Sequence, residues 1–177
     1  SGIGDIFHRR QKQRFFPELN ISYLHFVSNS KKITTFAAIK KYNFMKLNLK
    51  RPLVIFDLET TGLDIARDRI IEIAYIKVFP NGEEASHRLL INPEMHIPET
   101  STEGHGISDA DVADCPTFRQ KAQEIANDFI GSDIAGFNSN NFDIPMLTEE
   151  FNRVGIIPDF IDKAAKVDVQ VIYHKME

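Results

Sequence analysis

The stretch LVIFDLETTGLD, residues 53–64, runs four apolar side chains straight into Asp57 and sets a second carboxylate, Glu59, two positions later. Leu53, Val54, Ile55 and Phe56 read as a strand that is apolar on both faces, like the central strand of a covered sheet. Residues i and i+2 of a strand point to the same side, so Asp57 and Glu59 are expected to project together, roughly 7 Å apart at about 3.3 Å of rise per residue. Like charges at that spacing repel unless a cation lies between them. The pattern asks for a metal ion.

Upstream of this strand the chain changes character. Residues 1–44 carry eight Lys or Arg against Asp5 and Glu18, a net of +6, whereas the whole chain is −4 and residues 45–177 are therefore −10. No period of 2 or 3.6 is sustained there, and the first methionine is Met45. Residues 1–50 are accordingly expected to be a basic extension, disordered or not native to the domain, with residues 51–177 forming the domain itself. A nucleic-acid-binding or partner-binding arm is the alternative for this segment. A region of net −10 does not hold nucleic acid through a broad basic surface, so if it handles phosphates it must do so through divalent cations.

Composition, with 42% hydrophobic and 26% charged residues, fits one globular domain. No apolar run is long enough to span a bilayer and the N-terminus lacks a secretory apolar segment, so the expectation is a cytoplasmic protein with no membrane partner. Cys115 is the single cysteine, which excludes an internal disulfide; beside Pro116 it reads as a bystander.

Downstream, Ile71, Ile73 and Tyr75 alternate with Glu72 and Ala74, PNG at 80–82 marks a turn, and Ser86 to Ile91 returns as a second strand, giving a hairpin beside the first. Pro93, Pro98 and several Thr, Ser and Gly residues then carry a loop from residue 93 to GHGISDADV at 104–112. Phe118, Ala122, Ile125 and Phe129 then recur at helical steps between Pro116 and Gly131, the boundary signals of an amphipathic helix. DIAGFN at 133–138 reads as a short strand leading into a helix over about 142–154, with Ile144, Leu147 and Phe151 as its buried stripe and Gly155 as its stop. The order predicts an α/β fold with a mixed sheet.

Asp143 lies where strand passes into helix. A carboxylate there has a structural explanation, since it complements the helix dipole and caps free N–H groups. Beside Asp57 and Glu59 it has a second one, because loops at strand ends gather ligands. Three hard oxygen donors suit Mg²⁺ or Mn²⁺.

FDLETTG at 56–62, HGIS at 105–108 and FNSNNFD at 137–143 resemble the motifs of the DnaQ-like, or DEDD, 3′-to-5′ exonucleases of ribonuclease H-like fold. Most similar is the DEDDh subgroup that contains the proofreading ε subunit of bacterial DNA polymerase III. The resemblance implies that Asp57, Glu59 and Asp143 ligate two Mg²⁺ or Mn²⁺ ions, with Asp57 bridging them. It implies that Thr60, Thr61, Gly62 and Leu63 seat the terminal nucleotide, with His105 and Asn138 as substrate contacts. The implied chemistry is two-metal phosphodiester hydrolysis, the ions about 3.5–4 Å apart on either side of the scissile phosphate. The implied partners are nucleic acid 3′ ends, DNA ahead of RNA, and a DNA polymerase subunit.

That family pattern continues with a His acting as general base and, five residues on, a fourth metal-binding Asp. After residue 143 the single histidine is His174, and no His is followed five residues later by Asp. The expectation is a C-terminally incomplete exonuclease domain of weak or no activity, since the water-activating base and one ligand are lacking. Asp168 is read as structural or peripheral, Glu72 as facing solvent or a local cation, and His87 and His96 as ordinary surface or core histidines. Competing readings are an RNA-trimming exonuclease, a non-catalytic module holding one structural cation, and three acids that are merely surface and capping residues.

Overall fold

The structure, a computed structural model, describes residues 48–168. The expectations for the basic extension before residue 48, and for His174, fall outside those residues. Five strands form one sheet in the order β3-β2-β1-β4-β5: β1 Leu53–Thr60, β2 Ile70–Val78, β3 Glu84–Leu90, β4 Asp133–Gly136 and β5 Lys166–Asp168. β1 and β2 pair antiparallel, as do β2 and β3, whereas β1/β4 and β4/β5 are parallel. The sheet is mixed, as its strand and helix order predicts.

β1 lies at the centre because its first four residues are apolar on alternate faces and each face has a core to enter. Val54, Phe56 and Leu58 pack into one cluster with Ile73, Tyr75 and Ile134, and Leu53 and Ile55 into another with Ile76, Val78, Ala135, Val167 and Leu49. At Asp57 this changes. Residues 56, 58 and 60 stay buried while Asp57 and Glu59 are only partly so. One strand is thus two-sided core in its first half and one-sided in its second, which opens a face at its C-terminal end.

The first cluster is roofed by helices. α3, Phe118–Phe129, is started by a capping box in which Thr117 Oγ1 accepts from Gln120 N at 3.4 Å and Gln120 Oε1 accepts from Thr117 N at 2.8 Å. It buries Phe118, Ala122, Ile125, Ala126 and Phe129. α4, Asp143–Arg153, buries Ile144, Met146, Leu147 and Phe151 on the same side, and Phe151 sits edge-on between Phe118 and Phe160, each at 5.3 Å between ring centres. Phe160 belongs to a further short helix, α5, Asp159–Lys163.

The stretch from residue 93 to GHGISDADV, expected to be a loop, contains the short helix α1 Glu99–His105, and a second, α2 Asp109–Val112, lies within GHGISDADV itself. α1 buries no residue, so it carries no apolar stripe for a periodicity reading to find. Its legible signals are the boundaries. Pro98 stands at its N-cap, and Gly106 ends it with φ of 80°, in the left-handed region that glycine enters without strain. Ile97, Ile107 and Val112 fasten this segment to Ile71 of β2, with Cys115 packed alongside. Among the described residues no helix is long and apolar enough to cross a membrane.

Candidate active site

The parallel pairing of β1 with β4 covers Leu53 to Ile55, and β4 ends at Gly136. Beyond that point the β4-side edge of β1 faces the loop and helix that follow β4 instead of a strand. Asp143, the first residue of α4 and 6% exposed, reaches across 85 positions of sequence to this edge, where its Oδ1 accepts the Leu58 N–H at 3.2 Å. The third carboxylate therefore lies beside the peptide unit that joins Asp57 to Leu58. Asp57 and Glu59 emerge from the face of β1 that carries Leu53 and Ile55, in step with them at every second residue.

The donor set is carboxylate oxygen, which suits a hard divalent cation. Two of the three groups are partly exposed at an open strand end, and the third is held beside them. Among the described residues, no three His, Cys, Asp or Glu side chains stand close enough to form a ready-made cation cluster. The fit to Mg²⁺ or Mn²⁺ is one of donor chemistry.

Residues 60–69 after β1 form a turn built largely by side chains. Thr60 Oγ1 donates to Gly62 O at 2.6 Å. Thr61, fully buried, donates its hydroxyl to Asp68 Oδ1 at 2.9 Å, accepts Arg69 N at 3.0 Å, and receives Ser101 Oγ of α1 on its carbonyl at 2.7 Å. Asp68 Oδ2 accepts Asp64 N at 2.8 Å. Gly62 is pressed onto this carboxylate: a Cβ there would come within 2.5 Å of Asp68 Oδ2. The hydroxyls of Thr60 and Thr61 are thus committed to shaping the turn, while Leu63 at its tip is 83% exposed.

His105 ends α1. Its Nδ1 accepts Ile107 N at 3.1 Å, which assigns the proton of the neutral ring to Nε2, and that buried nitrogen has no hydrogen-bond partner among the described residues. Asn138 has φ of 54°, in the left-handed region that asparagine tolerates, and its side chain accepts from Asn141 Nδ2 at 2.9 Å. The loop that Asn138 opens is held by Asp168, 4% exposed, whose two carboxylate oxygens accept Asn138 N at 3.0 Å and Asn140 N at 3.1 Å. Asp168 is therefore the anchor of the segment leading to Asp143, which agrees with a structural reading of it.

The acids and histidines set apart from the site are engaged elsewhere. Glu72 pairs with Arg88 at 2.7 Å on the hairpin. His87 stacks on Tyr75 at 4.7 Å, and His96 Nδ1 meets Asp109 Oδ2 at 2.5 Å. Sequence reading does not find the ion cluster behind the turn, in which the buried Glu150 of α4 binds Arg69 and Arg153. An acid and a base at i and i+3 on one helix are visible in the sequence, but the partner Arg69 is 81 positions away.

The exonuclease family model named RNase_T matches residues 54–176. The chain is 34% identical over 119 residues to the PolC-type DNA polymerase III of Oceanobacillus iheyensis, covering 64% of this chain and 8% of that protein. It is 32% identical over 110 residues to a DNA polymerase III subunit epsilon-like protein of Rhodobacter capsulatus, covering 60% and 15%. The chain thus spans a small part of the curated relatives it matches. The fold is shared with E. coli Exonuclease I solved in complex with a dT13 oligonucleotide, at a TM-score of 0.61 and 18% identity over 68% of this chain and 28% of that one. A further Exonuclease I structure gives a TM-score of 0.65 at 18% identity over 71% and 30%. With its sheet order, its β1 acids and this match over more than half its length, the chain belongs to the exonuclease family, as a DnaQ-like DEDD member on a ribonuclease H-like fold.

Proposed function

We propose that this domain is the metal-binding and nucleotide-seating part of a 3′-to-5′ exonuclease that hydrolyses phosphodiester bonds at DNA 3′ ends in proofreading or repair. The observation that carries the proposal is the Asp143 Oδ1 to Leu58 N hydrogen bond of 3.2 Å, because it places a carboxylate from α4 against the strand that bears Asp57 and Glu59. Asp57, Glu59 and Asp143 would hold Mg²⁺ or Mn²⁺. Bound there, the cations would supply Lewis acidity and offset the repulsion between an acidic domain and a polyanion.

The remaining roles fall to the chain. The turn at 60–63 would offer backbone and the exposed Leu63 side chain to the terminal nucleotide, with His105 and Asn138 as further substrate contacts. The names of the relatives support DNA as substrate and a polymerase as partner. The His and Asp that complete the family pattern do not occur at the required spacing in these 177 residues, so no residue among them is proposed as the general base.

The test is degradation of 3′-end-labelled single-stranded DNA and RNA with Mg²⁺ or Mn²⁺, together with calorimetric titration of the metals. Metal binding abolished by Asp57→Ala, with removal of nucleotides from DNA 3′ ends by a chain extended to include the His and Asp, is the expected result. Faster trimming of RNA would reassign the substrate. A single Ca²⁺-preferring site with no hydrolysis by either chain would overturn the proposal.

A further inference from the structure

The charged cluster behind the 60–69 turn is built at a level that stability alone does not call for. Glu150 lies on α4, seven residues after Asp143, with a side chain of 0% exposure. Arg69 clasps it with both ends of its guanidinium, Nε to Oε1 at 2.6 Å and Nη2 to Oε2 at 3.2 Å, and Arg153 Nη1 reaches the same Oε1 at 2.9 Å. Ionic groups buried in this way seldom stabilise more than an apolar packing of the same volume would, because desolvation offsets the attraction. What such a cluster supplies is geometry.

The geometry here concerns the turn. Arg153 uses its other donors on the turn's own backbone, Nη1 to Asp68 O and Nη2 to Ile65 O, both at 2.8 Å. Asp68 in turn holds Thr61 Oγ1 and Asp64 N, and its carboxylate is the surface on which Gly62 rests. One planar fork thus ties the helix that begins with Asp143 to the turn that carries the exposed Leu63 at its tip.

We propose that Arg153, braced by Glu150 and Arg69, is a positioning residue for the terminal nucleotide: it sets the 60–69 turn relative to Asp143 without itself touching metal or substrate. The proposal rests on the exonuclease reading above. Lysine at this position keeps the charge for Glu150 but is a point donor on a flexible stem, so it cannot satisfy a carboxylate and two carbonyls in one plane. The turn is then free to shift, while Asp57, Glu59 and Asp143 stay where β1 and α4 put them.

The experiment measures two affinities on the 177-residue chain and on Arg153→Lys: Mn²⁺ by electron paramagnetic resonance, and thymidine 5′-monophosphate in saturating Mn²⁺ by calorimetry. Thermal melts of both proteins accompany them. A seat that is no longer held in its bound geometry must be ordered when the ligand binds, and that cost comes out of affinity. The expected result is therefore a loss of about tenfold in nucleotide affinity with Mn²⁺ affinity within about twofold of the parent. Arg153→Gln, which keeps a planar amide donor for Glu150 but cannot also reach Asp68 O and Ile65 O, should show the same split and serves if Arg153→Lys does not fold. If the parent binds both ligands and both folded variants match it, or if the two affinities fall together, the positioning role is overturned. If the parent binds neither ligand, the exonuclease reading fails, and the positioning role with it.

Discussion

Asp143→Ala separates the hydrogen bond by which its carboxylate ties α4 to β1 from the cation contact proposed for it. Its Oδ1 accepts the Leu58 N–H at 3.2 Å at a buried position, and a hydrogen bond to a charged group contributes roughly 1.5–3 kcal/mol. Truncation at 6% exposure removes that bond and little apolar area, so the metal-free variant should be less stable by about that amount. At roughly 2–4 °C per kcal/mol for a chain of about this length, the melting temperature should fall by about 3–12 °C. Asp143→Asn retains a neutral acceptor and should lose about half as much or less. Asp57→Ala is the control. Asp57 and Glu59 share one side of β1 and repel, so its removal should leave the metal-free melting temperature unchanged or slightly raised. The assay is thermal unfolding by circular dichroism in excess chelator, repeated with Mn²⁺, where the parent gains stability by mass action and all three variants should gain less. If Asp143→Ala melts with the parent in chelator, or Asp57→Ala falls as far as Asp143→Ala, then the bond to Leu58 is not what holds the α4 end against β1, and the reasoning fails.

Three further outcomes are expected. Gly62→Ala drives a methyl to within 2.5 Å of the Asp68 carboxylate and should cost roughly 1–3 kcal/mol in urea unfolding, whereas the same substitution in an Asp68→Ala background should be nearly neutral in a double-mutant cycle. Phe151→Ala, which empties the space between Phe118 and Phe160, should cost about 3–5 kcal/mol by the same measurement. Burial, then the hydrogen bond to Asp128 at 2.7 Å, raises the Tyr75 phenol well above its ordinary value of 10.0. The folded protein therefore keeps a proton that the unfolded chain releases, so stability is intact below pH 10.0 and declines as pH rises beyond it. Tyr75→Phe should show a shallower alkaline decline in pH-dependent melts.

Local pattern carried much of this molecule, since strands and amphipathic helices announce themselves through the spacing of apolar residues. Leu53 to Phe56, the hairpin around PNG and the stripe from Phe118 to Phe129 are read directly, because each element's buried face is periodic in its own residues. The carboxylate pair on β1 is legible for the same reason: the two-residue repeat of a strand puts Asp57 and Glu59 on one side whatever packs around them. α1 escapes such reading, as it buries nothing and is fixed instead by Pro98, Gly106 and the Ser101 bond to Thr61.

What only the tertiary structure decided lies between elements distant in sequence. β4 stops at Gly136, so the edge of β1 beyond Ile55 meets the start of α4, and that alone puts Asp143 beside Leu58. The commitment of Thr60 and Thr61 to the turn, the Asp168 anchor 28 and 30 residues from its N–H partners, and the Arg69–Glu150–Arg153 cluster have the same origin. Hydrogen bonds and ion pairs depend on distance and direction in space, and a sequence repeat encodes these only along a single element.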